Sequence, residues 1–456
     1  MFRSELKPKL VRGLGLYSHD AAFKENRPFR SWHAFKQALL LGGSDCPKEC
    51  LFMLDIHAQG MRPLMDMNGI CDELKNIVTS PTKVVTDYDA LPEFESKSSF
   101  PELAGTKPPD NYYYQLEENT IEKVACNYGA SSPELCIYKL RDVILYNGFI
   151  FTKRGEFFAD IARGFNKDYK KNTVVPLGHF SDKYVITFMR NDISKITYYD
   201  NPSINFCTFH EYGHHLLESV AKLWISDYGH KPNLLLSPQV GWHLKNAITA
   251  VPGYLLEMVR PFNYSENDFI ITQTGVFKSL YMIKHASMIG VYLHDAAKKV
   301  FAKIAAYYYS NATNYPAKIY ISRKNIKRRK LCNENACEEL FIKHGFTIIE
   351  PHTLSFREQV NIFANATHIA GPIGSGLHNI VFSRIPESVK LLALAPDQAM
   401  NAFGKAYVVI ERSYNRSLHV ILGYYAPDYK HIGPNFRPWT ISLEKLELGL
   451  KQWLSL

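Results

Sequence analysis

The sequence is poor in the features that mark several classes of protein. No apolar run approaches the ~18–20 residues that a membrane-spanning helix needs, and residues 1–15, MFRSELKPKLVRGLG, are polar and contain no signal-peptide core. The eight cysteines form no CxxC pair, and a chain of this length needs no disulfide staples. Cys46 and Cys50 could pair or bind metal, but we favour two inert thiols in a loop at a helix start. No internal repeat or low-complexity tract is present. We therefore expect a globular cytoplasmic protein with reduced thiols.

Neither sign of charge dominates the chain. Lys and Arg total 53 and Asp and Glu total 44, which leaves a net charge of +9. With 46% hydrophobic and 21% charged residues, the 456-residue chain has an ordinary globular composition, which excludes disordered and collagenous proteins. The positive surplus suits phosphorylated small molecules or acidic lipids. Nucleic acid is not expected as a partner, because the basic residues cluster in one loop rather than along a stripe.

The N-terminal part of the chain gives weak local signals. Residues 31–41 (SWHAFKQALLL) predict a helix, and residues 51–56 predict a strand. Residues 87–111 are rich in Pro, Ser, Asp and Glu, which is typical of a loop. A hairpin is predicted at 143–152, because its central Asn-Gly pair accepts the positive φ angles of a type I′ turn. We treat residues 1–135 as an N-terminal extension of uncertain structure.

Two stretches of alternating strands and helices follow this extension. The first has strand candidates at 184–189, 234–236 and 269–272. The second is more regular, with strands predicted at 318–322, 347–350, 367–370 and 389–394 and helices at 334–344 and 356–364. Such alternation predicts an α/β fold with parallel sheets.

The predicted architecture has two Rossmann-like, doubly wound domains that face a cleft. The first domain is placed at 136–312 and the second at 313–440. Residues 441–456 predict an amphipathic terminal helix that packs back on the N-terminal domain.

The sharpest short motif is His-Glu-Tyr-Gly-His, which matches the HExxH signature of zinc peptidases. On a helix, His210 and His214 would share a face and bind zinc, with Glu211 as general base. A third ligand is required, yet Glu218 would lie ~12 Å along the helix axis from His210. The longer zincin motif fails too, because Leu217 stands at its glycine position. We keep a zinc metallopeptidase as an alternative function and assign no metal ligand.

A glycine-rich loop, GPIGSGLHN, follows the strand predicted at 367–370 and opens a short apolar helix. Its glycines let the backbone turn sharply and approach a ligand, and the amides at the helix start favour an anion. A tight strand-to-helix turn is the alternative interpretation. The candidate phosphate-binding residues are Gly374, Ser375, Gly376, His378 and Asn379.

Basic residues crowd the segment 322–330, SRKNIKRRK, directly after another predicted strand. Residues at the carboxyl end of a parallel strand face the ligand crevice, and arginine offers a diphosphate a bidentate fork. We favour Arg323 as a ligand because it adjoins the strand end, and we add Lys324 and Arg328 as candidates. A solvated basic loop is the simpler interpretation of 327–330.

A further candidate lies where the helix at 356–364 begins. Ser355 and Glu358 match a capping box. Glu358 and Gln359 could instead reach a ribose or base, because this turn also follows a strand. The triplet Asp87-Tyr88-Asp89 matches the DxD of some metal-dependent sugar transferases, but its surroundings predict a surface loop.

Together, the motifs in 318–382 resemble the family 61 glycosyltransferases. The family pattern is a strand ending in Ser-Arg, a basic stretch with Asn-Glu, a Glu-Gln helix, and Gly-Pro-His-Gly-Ala-Gly-Leu-Thr-Asn. A weaker similarity covers about 180–240, where Tyr-x-His-Trp-Leu-x-Glu corresponds to YGHHLLE at 212–218. His215, Ile373 and His378 depart from this pattern. The segment KLLA at 390–393 lacks an acid that the family often carries there, and in many related enzymes such an acid binds the ribose.

The resemblance implies a GT-B fold with the donor nucleotide in the C-terminal domain. It implies inverting transfer of a sugar from a nucleotide sugar, expected to be a UDP-sugar, without an obligatory metal or other cofactor. The expected acceptor is a glycan or lipid-linked glycan of a surface polysaccharide. A lipid-linked acceptor would bring the enzyme to the inner membrane face, where the net charge of +9 favours contact. The missing acid leaves a catalytically silent GT-B module as an alternative.

Inverting transfer requires a base that takes the proton of the acceptor hydroxyl. His214 and Glu218 lie one helical turn apart, so their side chains can form one hydrogen-bonded unit. Either His214 is the base and Glu218 orients it, or Glu218 is the base itself. A pair that only fixes the helix is the alternative. We favour His214.

Overall fold

The computed structural model describes residues 84–85, 91, 93–106, 110–117, 120–126, 129–146, 149–151, 157–158, 197–207, 211–237, 249–272, 274–310, 315–397, 399–426 and 437–456. The elements predicted at 31–41, 51–56 and 184–189, the Asp87-Tyr88-Asp89 triplet and His210 lie outside these residues. The described chain is of mixed α/β class and contains parallel sheets, as the sequence predicts.

The described strands are numbered in chain order. They are β1 (Val84–Val85), β2 (Phe94–Ser99), β3 (Tyr112–Leu116), β4 (Ile121–Ala125), β5 (Cys136–Leu140), β6 (Val143–Tyr146), β7 (Phe149–Phe151), β8 (Phe157–Phe158), β9 (Tyr198–Tyr199), β10 (Ser203–Cys207), β11 (Asn233–Leu236), β12 (Phe269–Ile271), β13 (Thr274–Phe277), β14 (Leu280–Ile283), β15 (Ser287–Met288), β16 (Tyr292–Leu293), β17 (Lys318–Ile321), β18 (Thr347–Ile349), β19 (His368–Pro372), β20 (Lys390–Pro396), β21 (Leu418–Tyr425) and β22 (Trp439–Thr440).

The described helices are of three kinds. The α-helices are α1 (Tyr212–His214), α2 (Gly253–Val259), α3 (Asp295–Tyr308), α4 (Glu334–Lys343), α5 (Phe356–Asn365), α6 (Lys405–Ser413) and α7 (Leu443–Ser455). The π-helices are His215–Ser219 and Met400–Gly404. The 3-10 helices are Pro101–Leu103, Val220–Tyr228, Arg260–Phe262, Glu266–Asp268, Pro351–Thr353 and Ser375–Phe382.

Two mixed sheets form the N-terminal half. In one, β12, β11, β10 and β14 run parallel, β5 is antiparallel to β14, and the edge strand β2 is antiparallel to β5. The apolar segment Leu234–Leu236 lies in its interior, because β11 has a parallel neighbour on each side. In the other sheet, β6 and β7 form the predicted hairpin, with Tyr146 opposite Phe149.

The prediction of a loop at 87–111 is wrong for part of this segment. Residues Phe94–Ser99 form β2, which pairs with β5 through the backbone although most of its side chains are exposed. An edge strand needs only one hydrogen-bonded neighbour, so a polar sequence can occupy it without an apolar pattern.

The C-terminal sheet has the strand order β18-β17-β19-β20-β21-β3-β4. Its first six strands are parallel, and the helices that we predicted between them are found as α4 and α5. Gly345, with φ of 81°, follows α4. The hairpin β3–β4 comes from the predicted N-terminal extension and continues this sheet beside β21.

The terminal helix α7 packs on the C-terminal sheet, so the prediction that it packs on the N-terminal domain is wrong. Its apolar side chains Leu446, Leu450 and Trp453 are fully buried in a core shared with α4 and the C-terminal strands. The ring of Trp453 stacks on Phe346, with centroids 6.2 Å apart. The apolar stripe was correctly predicted, but nothing local in the sequence identifies the surface that it covers.

One apolar core runs through both halves of the molecule. Helix α3 contributes Val300, Phe301 and Ile304 to the same buried cluster that contains Leu234 of the N-terminal sheet and Leu391 of the C-terminal sheet. The two halves are therefore joined by packing as well as by the chain. None of the described helices is both long and apolar enough to cross a bilayer.

Candidate active site

The glycine loop is held rigidly at the carboxyl end of β19. Gly371 has φ of 155°, and a Cβ there would lie 2.6 Å from the carbonyl oxygen of Ile321. The hydroxyl of Tyr407 accepts from the amide of Gly374 and donates to its carbonyl, both at 2.8 Å. The amide of Gly374 is thus already engaged. The next amides begin the 3-10 helix Ser375–Phe382, and the first amides of a helix have no partner within it.

Arg323 lies directly against this loop. Its backbone amide donates to Oε1 of Glu334 at 2.6 Å, and its Nη2 donates to the carbonyl of Arg328 at 3.0 Å. A Cβ on Gly374 would collide with the guanidinium of Arg323, so glycine is required for this close approach. The Nε of Arg323 is buried and has no hydrogen-bond partner among the described residues.

A second arginine, Arg329, accompanies the first. Its guanidinium lies 4.5 Å from the ring centroid of Phe403, and its backbone has φ of 50°. Burial and the neighbouring charge of Arg329 lower the pKa of Arg323 to about 10, and burial also lowers the pKa of Arg329. Two half-buried guanidinium groups that repel each other would be stabilised by an anion.

The sequence interpretation of the basic segment needs one change. Arg328 is exposed, and its carbonyl accepts from Arg323. Arg329, which the sequence places in a solvated loop, is half-buried instead. Lys324 is also exposed, and its Nζ lies 3.4 Å from Glu338. The sequence signal for Arg329 was weak, because four basic residues in a row give no sign of which one faces inward.

A buried carboxylate accepts a hydrogen bond from the backbone of Arg323. Glu334 is 2% exposed, and burial raises its pKa to about 7. Its neighbour Asn333 accepts from Thr440 and the amide of Ile441, so the Asn-Glu pair ties the strand end to the C-terminal segment. Neither residue was among our candidates, although the Asn-Glu pair was part of the family pattern.

A chain of hydrogen bonds connects the two halves behind the loop. The hydroxyl of Tyr212 donates to Oδ1 of Asn379 at 2.5 Å, and Nδ2 of Asn379 donates to Oε1 of Gln359 at 2.9 Å. Asn379 is 0% exposed and Gln359 is 8% exposed. Burial raises the pKa of Tyr212, which keeps its hydroxyl protonated as a donor. These amides hold the loop from the interior.

Helix α1 touches the glycine loop itself. A Cβ on Gly213 would lie 2.7 Å from Nδ1 of His378 and 3.2 Å from Cβ of Ser375. His378 is buried, and its ring centroid lies 5.3 Å from that of Tyr407. The absence of a side chain at Gly213 allows this approach, which brings the next residue, His214, beside the loop.

His214 and Glu218 form the predicted pair. Nδ1 of His214 lies 2.7 Å from Oε2 of Glu218, whose Oε1 accepts from the amide of Ile289 at 2.9 Å. The side chain of His214 is 24% exposed and that of Glu218 is 6% exposed. Glu218 belongs to the π-helix, a rare geometry that is frequent at functional sites. The carboxylate therefore fixes the orientation of the imidazole.

Glu358 caps a helix. Its carboxylate accepts from the amide and hydroxyl of Ser355 at 2.8 and 2.6 Å, which completes the predicted capping box of α5. These hydrogen bonds lower its pKa. The structure thus shows the capping box, in which the Glu358 side chain is hydrogen-bonded to Ser355 at the start of the helix.

The region that contains these groups is similar to a known family. The geometry brings together the glycine loop, two arginines and a histidine–carboxylate pair. The model of the family Glycosyltransferase 61 matches residues 212–391. This match supports the resemblance to the family 61 glycosyltransferases that the sequence shows. A comparison with curated proteins finds no match.

Proposed function

We propose that this protein is an inverting glycosyltransferase of the GT-B type. It would transfer a sugar from a nucleotide sugar, expected to be a UDP-sugar, to a glycan or lipid-linked glycan hydroxyl during synthesis of a surface polysaccharide. The contact of Gly213 with Ser375 and His378 carries the proposal, because it sets the histidine–carboxylate pair beside the anion-binding loop. We further propose a cytoplasmic location with peripheral contact at the inner membrane face.

The donor diphosphate is proposed to lie between Arg323, Arg329 and the amides of Ser375 and Gly376. Guanidinium groups bind phosphate oxygens bidentately, and the start of a helix carries partial positive charge. Gly374 contributes space for Arg323 rather than an amide, since its N–H is bonded to Tyr407. His378, Gln359 and Asn379 are proposed to position the loop from behind, because all three are buried.

We propose that Asp397 binds the ribose of the donor nucleotide. This carboxylate is exposed and follows directly after β20, the strand beside the glycine-loop strand β19. Ligands of open α/β sheets bind outside the carboxyl ends of the strands. The segment 390–393 contains no acid, but the strand extends to Pro396, and Asp397 is the first acid after it.

His214 is proposed as the base. Glu218 accepts a hydrogen bond from Nδ1–H, which places the lone pair of the imidazole on Nε2. Nε2 would take the proton of the acceptor hydroxyl as its oxygen attacks the anomeric carbon, while the nucleoside diphosphate leaves from the opposite face. The developing charge on the leaving group would be stabilised by the arginines and the helix start.

The proposal is tested by nucleotide-sugar binding and transfer. A panel of UDP-, GDP- and CMP-sugars is screened by melting temperature, and a ligand at 100 Kd should add ~2.7 kcal/mol to the free energy of unfolding. We expect a UDP-sugar to stabilise the protein and Ser375→Glu to abolish the effect, whereas Ser375→Ala retains it. Equal UDP binding by Ser375→Glu would remove the loop from the donor site.

The alternatives gain no support from the described part of the chain. There, no three His, Cys, Asp or Glu side chains come together as a possible metal site, and His210 lies outside it. Stoichiometric zinc that disappears in His210→Ala would favour a metallopeptidase. UDP-sugar binding without hydrolysis or transfer would favour a silent module.

A further inference from the structure

A second pocket, of about 230 Å³, lies in the N-terminal half. Its described lining includes Asn205, Lys222, Lys284, His285 and Met288. We propose that this pocket binds one acidic sugar residue of the acceptor and that its basic groups hold the carboxylate or phosphate of that sugar. This inference rests on the proposed glycosyltransferase function and names a substrate class for it.

The pocket adjoins the candidate base. Lys222 follows Glu218 by four residues along the same continuous helical segment. On the opposite side, Met288 lines the pocket, and the amide of the next residue, Ile289, donates to Glu218 at 2.9 Å. An acceptor sugar bound here would therefore lie beside the residue that orients His214.

Basic side chains line the pocket. Nζ of Lys222 is buried and donates to the carbonyls of Asn205 and Phe206 in β10. These two carbonyls hold the ammonium in place. Lys284 and His285 follow β14 and add two basic side chains, and none of the described lining residues is acidic. An oxyanion is the ligand group that this charge favours.

The segment that carries the basic residues is itself anchored. Nε1 of Trp224 donates to the carbonyl of Lys284 at 3.3 Å, and the hydroxyl of Tyr292 donates to the carbonyl of His285 at 3.2 Å. A binding site that is ordered before the ligand arrives loses less entropy on binding. The pocket is thus a built site and not a collection of surface lysines.

The buried amide of Asn205 is a second observation that favours a polar ligand, separate from the basic side chains. It is 5% exposed, and neither its Oδ1 nor its Nδ2 has a hydrogen-bond partner among the described residues. Buried amides are normally paired, so this side chain is suited to donate to an anionic oxygen and accept from a sugar hydroxyl.

The remaining walls and the size suit one sugar ring. Tyr138, Met282 and Met288 provide an apolar surface on which the C–H face of a pyranose can pack. A volume of about 230 Å³ is below the ~300–1,000 Å³ of pockets for drug-sized ligands. The pocket therefore selects a single acidic monosaccharide unit and leaves the rest of the glycan outside.

The test uses the full-length protein without donor. Glucuronate, glucose 6-phosphate and glucose are titrated by ligand-observed NMR; the first two carry the two possible anions, and glucose is the neutral control. We expect at least one anionic sugar to bind about tenfold or more tightly than glucose. The stronger of the two identifies the anion as carboxylate or phosphate.

The variants locate the binding. Lys284→Met and Asn205→Ala are expected to weaken binding of the anionic sugar about tenfold, and Lys299→Met on α3 is the matched lysine control. Lys222 is buried and its loss could prevent folding, so it is not the primary variant.

The outcomes separate this inference from the proposed function. UDP binding should be the same in all three variants, which also reports that they are folded. Equal binding of glucose, undiminished binding by Lys284→Met and Asn205→Ala, or no saturable binding of either anionic sugar would overturn the inference. Failure of the wild type to bind any nucleotide sugar would instead overturn the donor assignment.

Discussion

The two faces of the site are built for different tasks. The C-terminal face presents two half-buried arginines and a glycine loop locked by Tyr407, so its groups are positive and preorganised. The N-terminal face presents His214, partly exposed and oriented by Glu218. One face can hold an anion, and the other can accept a proton. Under the proposed function, different halves of one chain would carry binding and chemistry, and this separation can be tested variant by variant.

The largest effect is expected from the N-terminal face. His214→Ala should lower turnover by ~10²–10⁴, because the transfer loses its general base. UDP affinity should stay within about twofold, since the donor groups lie on the other face. Turnover and UDP binding are measured on the same preparations, with His230→Ala as a control histidine variant. Near-normal turnover of His214→Ala would contradict the assignment of the base to the N-terminal face. Near-normal turnover of Glu218→Gln would show that the carboxylate is dispensable.

The next effect is expected from the C-terminal face. Arg323→Met and Arg329→Met should each raise the Kd for UDP by about 10–100-fold, because each removes charge-assisted hydrogen bonds to the diphosphate. Arg328→Met is the matched control, since this arginine is exposed, and its Kd should change less than about twofold. Calorimetric titration with UDP measures all three. A larger loss in Arg328→Met than in Arg329→Met would reverse the assignment of the inward-facing side chain.

A smaller effect concerns stability and pH. Burial raises the pKa of Glu334 from its ordinary 4.5 to about 7 in the folded state, so the folded state binds more protons between these values. Stability contributed by this group is therefore greatest at low pH and declines as pH rises from about 5 to 7.5. Relative to Glu334→Gln, the wild type should lose on the order of 2 kcal/mol over this range. Urea unfolding at several pH values measures the difference, and parallel curves for the two proteins would contradict the prediction.

The smallest effect concerns the hydrogen bond between Tyr212 and Asn379, which joins the two faces. Tyr212→Phe removes the hydrogen bond to Asn379 and should cost about 1–2 kcal/mol of stability. Although Tyr212 belongs to the N-terminal half, the loss should appear as weaker UDP binding, because Asn379 supports the donor loop. Tyr198→Phe, at a side chain 60% exposed, is the control. Unchanged UDP affinity together with lower turnover would show that Tyr212 acts in catalysis and not in donor binding.

The sequence predicts the C-terminal half far better than the N-terminal half. Between 318 and 396 each strand is an apolar run followed by a helix with recognisable start and end signals, and the found bounds agree with the predicted ones to within a few residues. The N-terminal half uses strands that pair across long separations. Strand β13, for example, pairs with β6 through Gly275 and Leu145, a register that no local pattern specifies.

The site follows the same division. The loop, Arg323 and the His214–Glu218 pair could be named from the sequence, because each lies in a motif with a fixed spacing. Arg329 and Tyr407 could not, because their roles depend on which way a side chain turns and on a contact made across the sheet. The contact of Gly213 with Ser375 joins residues far apart in the chain, so only the fold reveals it.

The apolar core that passes through both halves limits how the molecule can be taken apart. If the chain were cut between Ser310 and Tyr315, each fragment would expose the side of the core that the other fragment covers. Neither fragment should be soluble when expressed alone, and activity should return only when both are produced together and reassemble. In this sense the two halves resemble subunits of an obligate heterodimer that happen to share one peptide chain.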